Sequence, residues 1–246
     1  MIDKMGKIKK FAILIIIAIF VLVFFVCSYN LAKIFLDFEE TKIETTRLIE
    51  DVIKISEKSE ENKILVDWQK LENINKDIIG WIKINNTKID YPIIQDKNLY
   101  YINHTYEKKY NINGSIFTNT SNPFETQETI VYGHNNQNGL MFSGIENFMD
   151  EEFFLNHRTF KIYTKSDSYD AKIFSIYSIG VNEETNNTKN LNFNDCVKYY
   201  KTQSKFKVEI EDIPQNIIKL STCSYLNNKS RPTNQRYYLV ASLTKI

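Results

Sequence analysis

Residues 216–243, "NIIKLSTCSYLNNKSRPTNQRYYLVASL", hold two strand-like apolar runs on either side of a loop rich in Asn, Ser and Pro. Cys223 ends the first run and Arg236 opens the second. A hairpin-like connection between the two runs returns the guanidinium of Arg236 to the side of the thiol. A lone free cysteine is more often a small buried side chain than a reactive group, so the rest of the chain must decide between packing and chemistry.

Strand-like alternation recurs along the chain from Gly80 onward. Eight stretches show it: residues 80–84, 87–94, 114–119, 128–134, 159–165, 169–180, 216–223 and 236–243. Helical spacing interrupts them, most clearly over 192–206, where Cys196 lies beside the apolar Val197 and is expected to serve packing. We therefore predict a mostly β domain over residues 78–246, an eight-stranded, closed, mostly antiparallel β-barrel with helical insertions.

The N-terminal part carries the clearest physical signal. Residues 11–27, "FAILIIIAIFVLVFFVC", form an apolar run of about 17 residues, roughly 25 Å long as a helix. The run is longer than the apolar core of most signal peptides, and no small-residue cleavage site follows, which favours an uncleaved anchor over a removed leader. Four lysines precede it and predict a cytoplasmic N-terminus and an extracytoplasmic remainder: Lys4, Lys7, Lys9 and Lys10.

These signals divide the chain into three parts. Residues 1–28 are expected to form a cytoplasmic tip and a single transmembrane helix. Residues 29–77 show apolar positions at spacings of three and four and predict a helical stem. Residues 78–246 are the predicted barrel, so the expected location is the cell membrane, with the barrel outside.

Composition excludes several classes of function. The 31 basic and 30 acidic side chains give a net charge of +1, so the chain lacks the basic footprint of a nucleic-acid-binding protein. Cys27, Cys196 and Cys223 are far apart in the sequence and lack metal-ligand spacing, so neither a disulfide framework, a metal site nor a cofactor is predicted.

A catalytic thiol needs a proton-handling partner and a group that stabilises charge on the carbonyl oxygen. Of the three histidines, His104 and His157 lie in polar stretches typical of a surface. His134 ends the strand-like run "TIVYGH", so one strand brings an imidazole to the barrel rim while another brings the thiol of Cys223. No Asp or Glu occupies a motif position that would orient His134, which makes Arg236 the expected third member.

The motifs "TIVYGHNNQNGLMF", "LSTCSY" and "NQRYYLVA", in this order, resemble the His, Cys and Arg motifs of sortases. The opening "GWIKINNTKIDYPIIQDKNLYYINHTY" and the helical insertion before the Cys strand resemble class B in particular. The resemblance implies a cysteine transpeptidase of Gram-positive bacteria, with Cys223 as nucleophile, His134 as proton donor and acceptor, and Arg236 as the oxyanion or substrate-positioning group. Ser221 and Thr222 would line the substrate groove, and Ser224, where class B members often carry an acid, is a further substrate-binding candidate.

The implied partners are surface proteins that bear a C-terminal sorting motif, a peptidoglycan or lipid-linked precursor amine as acceptor, and the cell membrane. Two alternatives stay open at this point. One is a thiol hydrolase that passes the acyl group to water, and the other is an anchored binding module in which Cys223 is core. Arg231 also follows Cys223, but it precedes Pro232 in a polar loop, which favours Arg236 as the active-site arginine.

Overall fold

A computed structural model of the protein describes residues 2–55, 64–136, 138–210, 212–226 and 233–246, with the side chains of residues 2–9 and 55 left out of the description. The chain forms two compact units, Met1–Glu40 and Thr41–Ile246. Arg231, the competing arginine, lies outside the described residues.

Helix α1 (Ile2–Val52) accounts for the described part of the first unit. Its large apolar side chains between residues 11 and 26 are exposed, Phe20 to 70%. A window within Lys10–Val52 is long and apolar enough to cross a membrane, and none of that window is buried. Such a surface is unfavourable in water and suits the hydrocarbon core of a bilayer. A signal sequence near an N-terminus can meet the same criteria of length and composition.

The predicted stem is only partly helical. Helix α1 ends at Val52, strand β1 (Ile53–Ile55) pairs antiparallel with β2 (Ile64–Val66), and helix α2 covers Trp68–Ile74. The expectation of helix throughout residues 29–77 is therefore wrong for these two strands. Both are short runs with β-branched residues, which favour a pleated, half-buried surface, and Asp67 begins α2 by accepting a hydrogen bond from the Lys70 amide at 3.1 Å.

The last turns of α1 and the segments after it cover one face of the barrel. Leu48, Val52, Ile64 and Leu71 are buried in one cluster with Trp81 of the first barrel strand. Ile82, the next residue, belongs instead to the main core. Successive residues of a strand point to opposite faces, so this alternation buries both faces of the sheet.

The eight stretches predicted as strands are all strands, and together they form the predicted closed barrel. The strands are β3 (Ile78–Lys83), β4 (Asp90–Gln95), β5 (Ile116–Thr118), β6 (Glu128–Tyr132), β7 (Thr159–Thr164), β8 (Ser168–Gly180), β9 (Ile217–Cys223) and β10 (Gln235–Lys245). Their order around the barrel is β10-β8-β7-β3-β4-β5-β6-β9. Two neighbouring pairs, β4–β5 and β6–β9, are parallel and the other six are antiparallel.

Helices fill the longer connections between these strands. Short 3-10 helices cover Tyr100–Ile102 and Ser143–Met149, and the α-helices are α3 (Glu151–Asn156), α4 (Val181–Thr188) and α5 (Phe193–Gln203). Helix α5 is the one expected from the sequence, and the Asn192 side chain caps it by accepting a hydrogen bond from the Asp195 amide at 3.0 Å. Cys196 is buried on its inner face, and burial raises the pKa of its thiol, as expected for a packing residue.

Candidate active site

The parallel pairing of β6 and β9 brings His134 and Cys223 to the same edge of the barrel. Tyr132 is the register partner of Ser221 in the last pair between β6 and β9, and just beyond it the Gly133 amide donates to the Ser221 carbonyl at 3.2 Å. His134 and Cys223 each follow the Tyr132–Ser221 pair by two residues. Because side chains repeat with a period of two along a strand, both face the side on which Tyr132 and Ser221 lie.

Strand β10 adds the third side chain from the other flank of β9. Arg236 is the direct register partner of Cys223 in the antiparallel β9–β10 pair. Directly opposite residues of an antiparallel pair present their side chains on one face. Three neighbouring strands therefore deliver the predicted imidazole, thiol and guanidinium to one place.

A groove of about 140 Å³ runs over these three residues. Cys223 is partly exposed in it, so the thiol is accessible and is not a core side chain. One wall of the groove is largely apolar, and its lining includes Leu99, Ile102, Phe117 and Tyr132. The groove therefore combines an accessible thiol with an apolar wall that suits an extended peptide.

The imidazole of His134 is oriented by a backbone carbonyl. Its Nε2 lies 2.6 Å from the carbonyl oxygen of Ile102, at the end of the 3-10 helix Tyr100–Ile102. A carbonyl oxygen only accepts hydrogen bonds, so Nε2 carries a hydrogen in this arrangement and Nδ1 is the ring nitrogen left for proton exchange. Leu99 precedes this helix with a φ of 59°, a left-handed conformation that costs a bulky side chain energy and is typical of functional sites.

The guanidinium of Arg236 is fixed by two carbonyls near its own position in the chain. Its Nη1 donates to the carbonyls of Thr233 and Gln235, both at 2.9 Å. A guanidinium has five N–H donors in a rigid plane, so these two bonds fix its position while it still has donors for a ligand.

Two of the three predicted substrate-binding residues line the groove. Ser221 and Thr222 both contribute to its surface, although each is largely buried. The Thr222 hydroxyl donates to the Gly133 carbonyl at 2.7 Å, so it also ties β9 to the segment that ends in His134.

The prediction for Ser224 is not supported by the structure. Ser224 is fully buried, its backbone amide donates to the Gln235 carbonyl at 2.9 Å, and its hydroxyl accepts from Ser178 at 2.7 Å. The residue after Cys223 faces the opposite side of the strand, which places Ser224 in the barrel and away from the groove.

Two residues near the site were missed in the sequence. Asn135 is buried, and its Nδ2 donates to the Cys223 carbonyl at 2.8 Å. Its position next to His134 in "GHNN" was the available signal. The Ile102 carbonyl gave no signal in the sequence, because it is a backbone group far upstream of His134 in the chain.

A buried ion pair lies on the same face of β9 as Cys223, four residues earlier in the strand. Lys219 is 3% exposed and pairs with Glu184 of α4, which is 4% exposed. The Lys219 ammonium also lies over the rings of Tyr200 and Tyr238, at 4.2 and 4.5 Å from their centroids.

A second cavity, of about 390 Å³, continues the groove over this ion pair. Tyr132, Ser221 and Arg236 line both the groove and the cavity, and Glu184 and Lys219 line the cavity. In the part of the chain that the structure describes, no three His, Cys, Asp or Glu side chains come together as metal ligands.

Comparison with known proteins places this site in a family. The Sortase domain model matches residues 82–244. The chain belongs to the sortase family. The match covers residues 216–243 and includes His134, Cys223 and Arg236.

The relatives of this sortase are class B proteins. It is 36% identical over 160 residues to sortase B of Listeria monocytogenes, covering 62% of this chain and 65% of that protein. It is 26% identical over 247 residues to sortase B of Staphylococcus aureus, covering 98% of this chain and 99% of that protein.

Solved structures agree with this assignment. Sortase B of Clostridium perfringens superposes with a TM-score of 0.65 at 30% identity, covering 72% of this chain and 100% of that one. The structure of a Staphylococcus aureus sortase B–substrate complex gives 0.64 at 30% identity, covering 72% of this chain and 84% of that one. The expected class B sortase fold is confirmed.

Proposed function

We propose that this chain is a membrane-anchored cysteine transpeptidase that cleaves a C-terminal sorting motif and transfers the protein to a peptidoglycan or lipid-linked amine. The observation that carries the proposal is the meeting of three side chains in one groove, with Cys223 directly opposite Arg236 in the β9–β10 register and His134 two residues after the last β6–β9 pair. The substrates and acceptor are those implied by family membership, and a Staphylococcus aureus relative has been solved with a substrate.

In the first half-reaction the Cys223 thiol gives its proton to His134, and the resulting thiolate attacks the carbonyl carbon of the scissile peptide bond. A C–S bond forms and an electron pair moves onto the carbonyl oxygen, where Arg236 N–H donors stabilise the negative charge. The oxyanion then collapses and the C–N bond breaks. The leaving amine takes a proton from His134, and a thioester on Cys223 remains.

In the second half-reaction an amine attacks the thioester carbonyl. A C–N bond forms, the C–S bond breaks, and the amine proton passes through His134 to the departing sulfur. The products are a new amide and the free thiol, so the enzyme returns to its starting state. Attack by water in place of the amine gives hydrolysis.

The groove and the cavity beside it support a peptide substrate. The apolar wall around Ile102 and Phe117 suits side chains of an extended peptide, and Ser221 and Thr222 lie beside the nucleophile. We assign Ser221 and Thr222 to substrate binding. The proposed catalytic residues beside them are His134, Cys223 and Arg236.

We also propose that α1 holds the enzyme in the cell membrane, with its N-terminus in the cytoplasm and the barrel outside. The exposed apolar side chains of residues 11–26 and the four lysines before them support this orientation. In this proposal residues 1–28 form the cytoplasmic tip and the transmembrane helix, residues 29–77 form the stem, and residues 78–246 form the catalytic barrel.

Mass detection of a thioacyl adduct tests the function. The full-length chain in detergent micelles is incubated with candidate sorting-motif peptides, first without and then with an amine. We expect an adduct on Cys223 that the amine converts to a transfer product. A product that forms at the same rate and with the same mass whether or not the amine is present would indicate a hydrolase, and no adduct with any peptide would reject the cysteine mechanism.

A further inference from the structure

We propose that the cavity lined by Asn135, Glu146 and Tyr225 binds the ammonium group of the acceptor, with Glu146 as its anionic contact. This inference rests on the proposed transpeptidase function and assigns a place to its second substrate. The cavity measures about 740 Å³ and is distinct from the peptide groove described above.

The chemistry of this cavity differs from that of the groove. Its lining residues are glycines or carry a polar group, with asparagine the most frequent. Glu146 is acidic, Lys88 is basic, and the rest are amides, hydroxyls and glycines. A primary ammonium is a compact cation with three N–H donors, and a carboxylate beside amide oxygens provides the acceptors that it needs. One carboxylate is too few for a divalent cation, which takes six or more oxygen ligands.

Asn135 connects the cavity to the nucleophile. Its Nδ2 lies 2.8 Å from the Cys223 carbonyl oxygen and 3.5 Å from Glu146 Oε2, so Glu146 is two polar contacts away from the backbone of the nucleophile. Tyr225 lies two residues after Cys223 and also lines the cavity.

The loop that walls the cavity is held by its own hydrogen bonds. The Phe142 amide donates to the His134 carbonyl at 2.9 Å, and the Gly139 amide donates to the Asn136 carbonyl at 3.1 Å. Asn136 Nδ2 in turn donates to Asn113 Oδ1 at 3.1 Å. A pocket that is already formed before the ligand arrives loses less ordering entropy on binding.

The chemistry of transfer accounts for every proton. The acceptor enters as an ammonium ion held by Glu146 and releases one proton to water before it attacks. The free amine forms the C–N bond, the C–S bond breaks, and the second proton passes through His134 to the sulfur of Cys223. The acyl peptide occupies the groove, and the amine arrives from the cavity.

Two nucleophiles of different charge test the assignment. Triglycine amide carries an ammonium group at neutral pH, whereas hydroxylamine is uncharged and needs no anionic contact. Full-length enzyme in detergent is loaded with a sorting-motif peptide, and the split of the thioacyl enzyme between transfer and hydrolysis is measured against the concentration of each nucleophile. The variant is Glu146→Gln, and the matched control is Glu152→Gln, an exposed carboxylate on α3 that does not line the cavity.

We expect Glu146→Gln to raise the triglycine amide concentration at half-maximal transfer by about three- to ten-fold. Capture by hydroxylamine stays unchanged, and Glu152→Gln changes neither. Equal triglycine amide curves for wild type and Glu146→Gln, or an equal loss with hydroxylamine, would overturn the assignment while the thioacyl adduct still supports the function. If the wild-type chain forms no thioacyl enzyme, the proposed function fails and this inference fails with it.

Discussion

Arg236 lies directly across the β9–β10 pair from Cys223, with its guanidinium held by the carbonyls of Thr233 and Gln235. Strand pairing fixes the backbone of both residues, so the distance from guanidinium to thiol depends on the register and not on a flexible loop. The planar donors of arginine are therefore placed before a substrate arrives.

Replacement of Arg236 by Lys should lower turnover on a cleavable peptide by about 10²–10³-fold, because a lysine ammonium cannot reproduce the planar fork of donors. Thermal stability should change little. Arg231→Lys serves as the control and is expected to be near neutral. Equal activities of the two variants, or a greater loss at Arg231, would reject the assignment of Arg236.

Cys223→Ala should abolish the thioacyl adduct, and His134→Ala should remove nearly all turnover with the fold intact, since the two residues act as one unit. Cys196→Ala is the control, because Cys196 is buried on α5. Mass spectrometry of the adduct and peptide cleavage rates check all three. An inactive Cys196 variant beside an active Cys223 variant would contradict the proposed chemistry.

The Lys219–Glu184 pair should hold α4 against the barrel next to the substrate groove. Glu184→Gln leaves the ammonium of Lys219 buried without its counter-charge, and we expect it to lower the free energy of unfolding by about 3–5 kcal/mol. The double variant Lys219→Met with Glu184→Gln should recover much of this loss because it removes the unpaired charge. Urea unfolding of both proteins measures the difference, and a double variant no more stable than the single one would argue against the buried pair.

Asp77 should give a pH-dependent contribution to stability. Hydrogen bonds from Lys108 and Tyr101 lower the pKa of its carboxyl group, and the two contacts measure 2.9 and 2.7 Å. A carboxyl whose folded pKa is depressed stabilises the fold above its unfolded pKa, and this contribution is lost as the pH falls through the folded pKa.

Asp77→Asn should therefore be less stable than wild type at pH 7, by at most about 1 kcal/mol because the ion pair is half-exposed. The two unfolding curves should converge as the pH falls below about 4. Urea unfolding at neutral and acid pH checks this. A constant difference at all pH values would show that the charge of Asp77 contributes nothing.

Deletion of residues 1–28 should release a folded domain that still cleaves peptides, since the compact unit Thr41–Ile246 keeps all of its residues. Gel filtration without detergent and peptide cleavage are the measurements. Aggregation or loss of activity would mean that the N-terminal helix contributes to the fold as well as to anchoring.

The elements that the sequence predicted well are those whose signals are local. Alternation of apolar and polar residues in runs such as residues 236–243 predicts a strand, because successive side chains of a strand point to opposite faces of the sheet. The apolar run of residues 11–27 and the lysines before it are likewise local. The candidate thiol, imidazole and guanidinium could be selected because each lies at the end or start of such a run and within a family motif.

Two expectations from the sequence failed for the same reason: the extent of helix in the stem, and the exposure of Ser224 to the substrate. Helical spacing over residues 29–77 did not distinguish a continuous helix from a helix followed by the pairing of Ile53–Ile55 with Ile64–Val66. Ser224 looked available because it follows the nucleophile, but its exposure depends on what the opposite face of β9 packs against.

By itself the sequence determined the strands, the apolar N-terminal helix, the family and the three residues proposed for catalysis, because these follow from local periodicity and short motifs. Only the tertiary structure decided that β6 and β9 are parallel neighbours, that the Ile102 carbonyl orients His134, and that Glu184 meets Lys219. It also decided that Cys223 lines one groove and that its carbonyl accepts a hydrogen bond from Asn135, which lines a second cavity of different chemistry. Alternation assigns a side chain to a face, whereas the choice of neighbouring strand depends on closing the whole barrel around one core, which joins residues far apart in the chain.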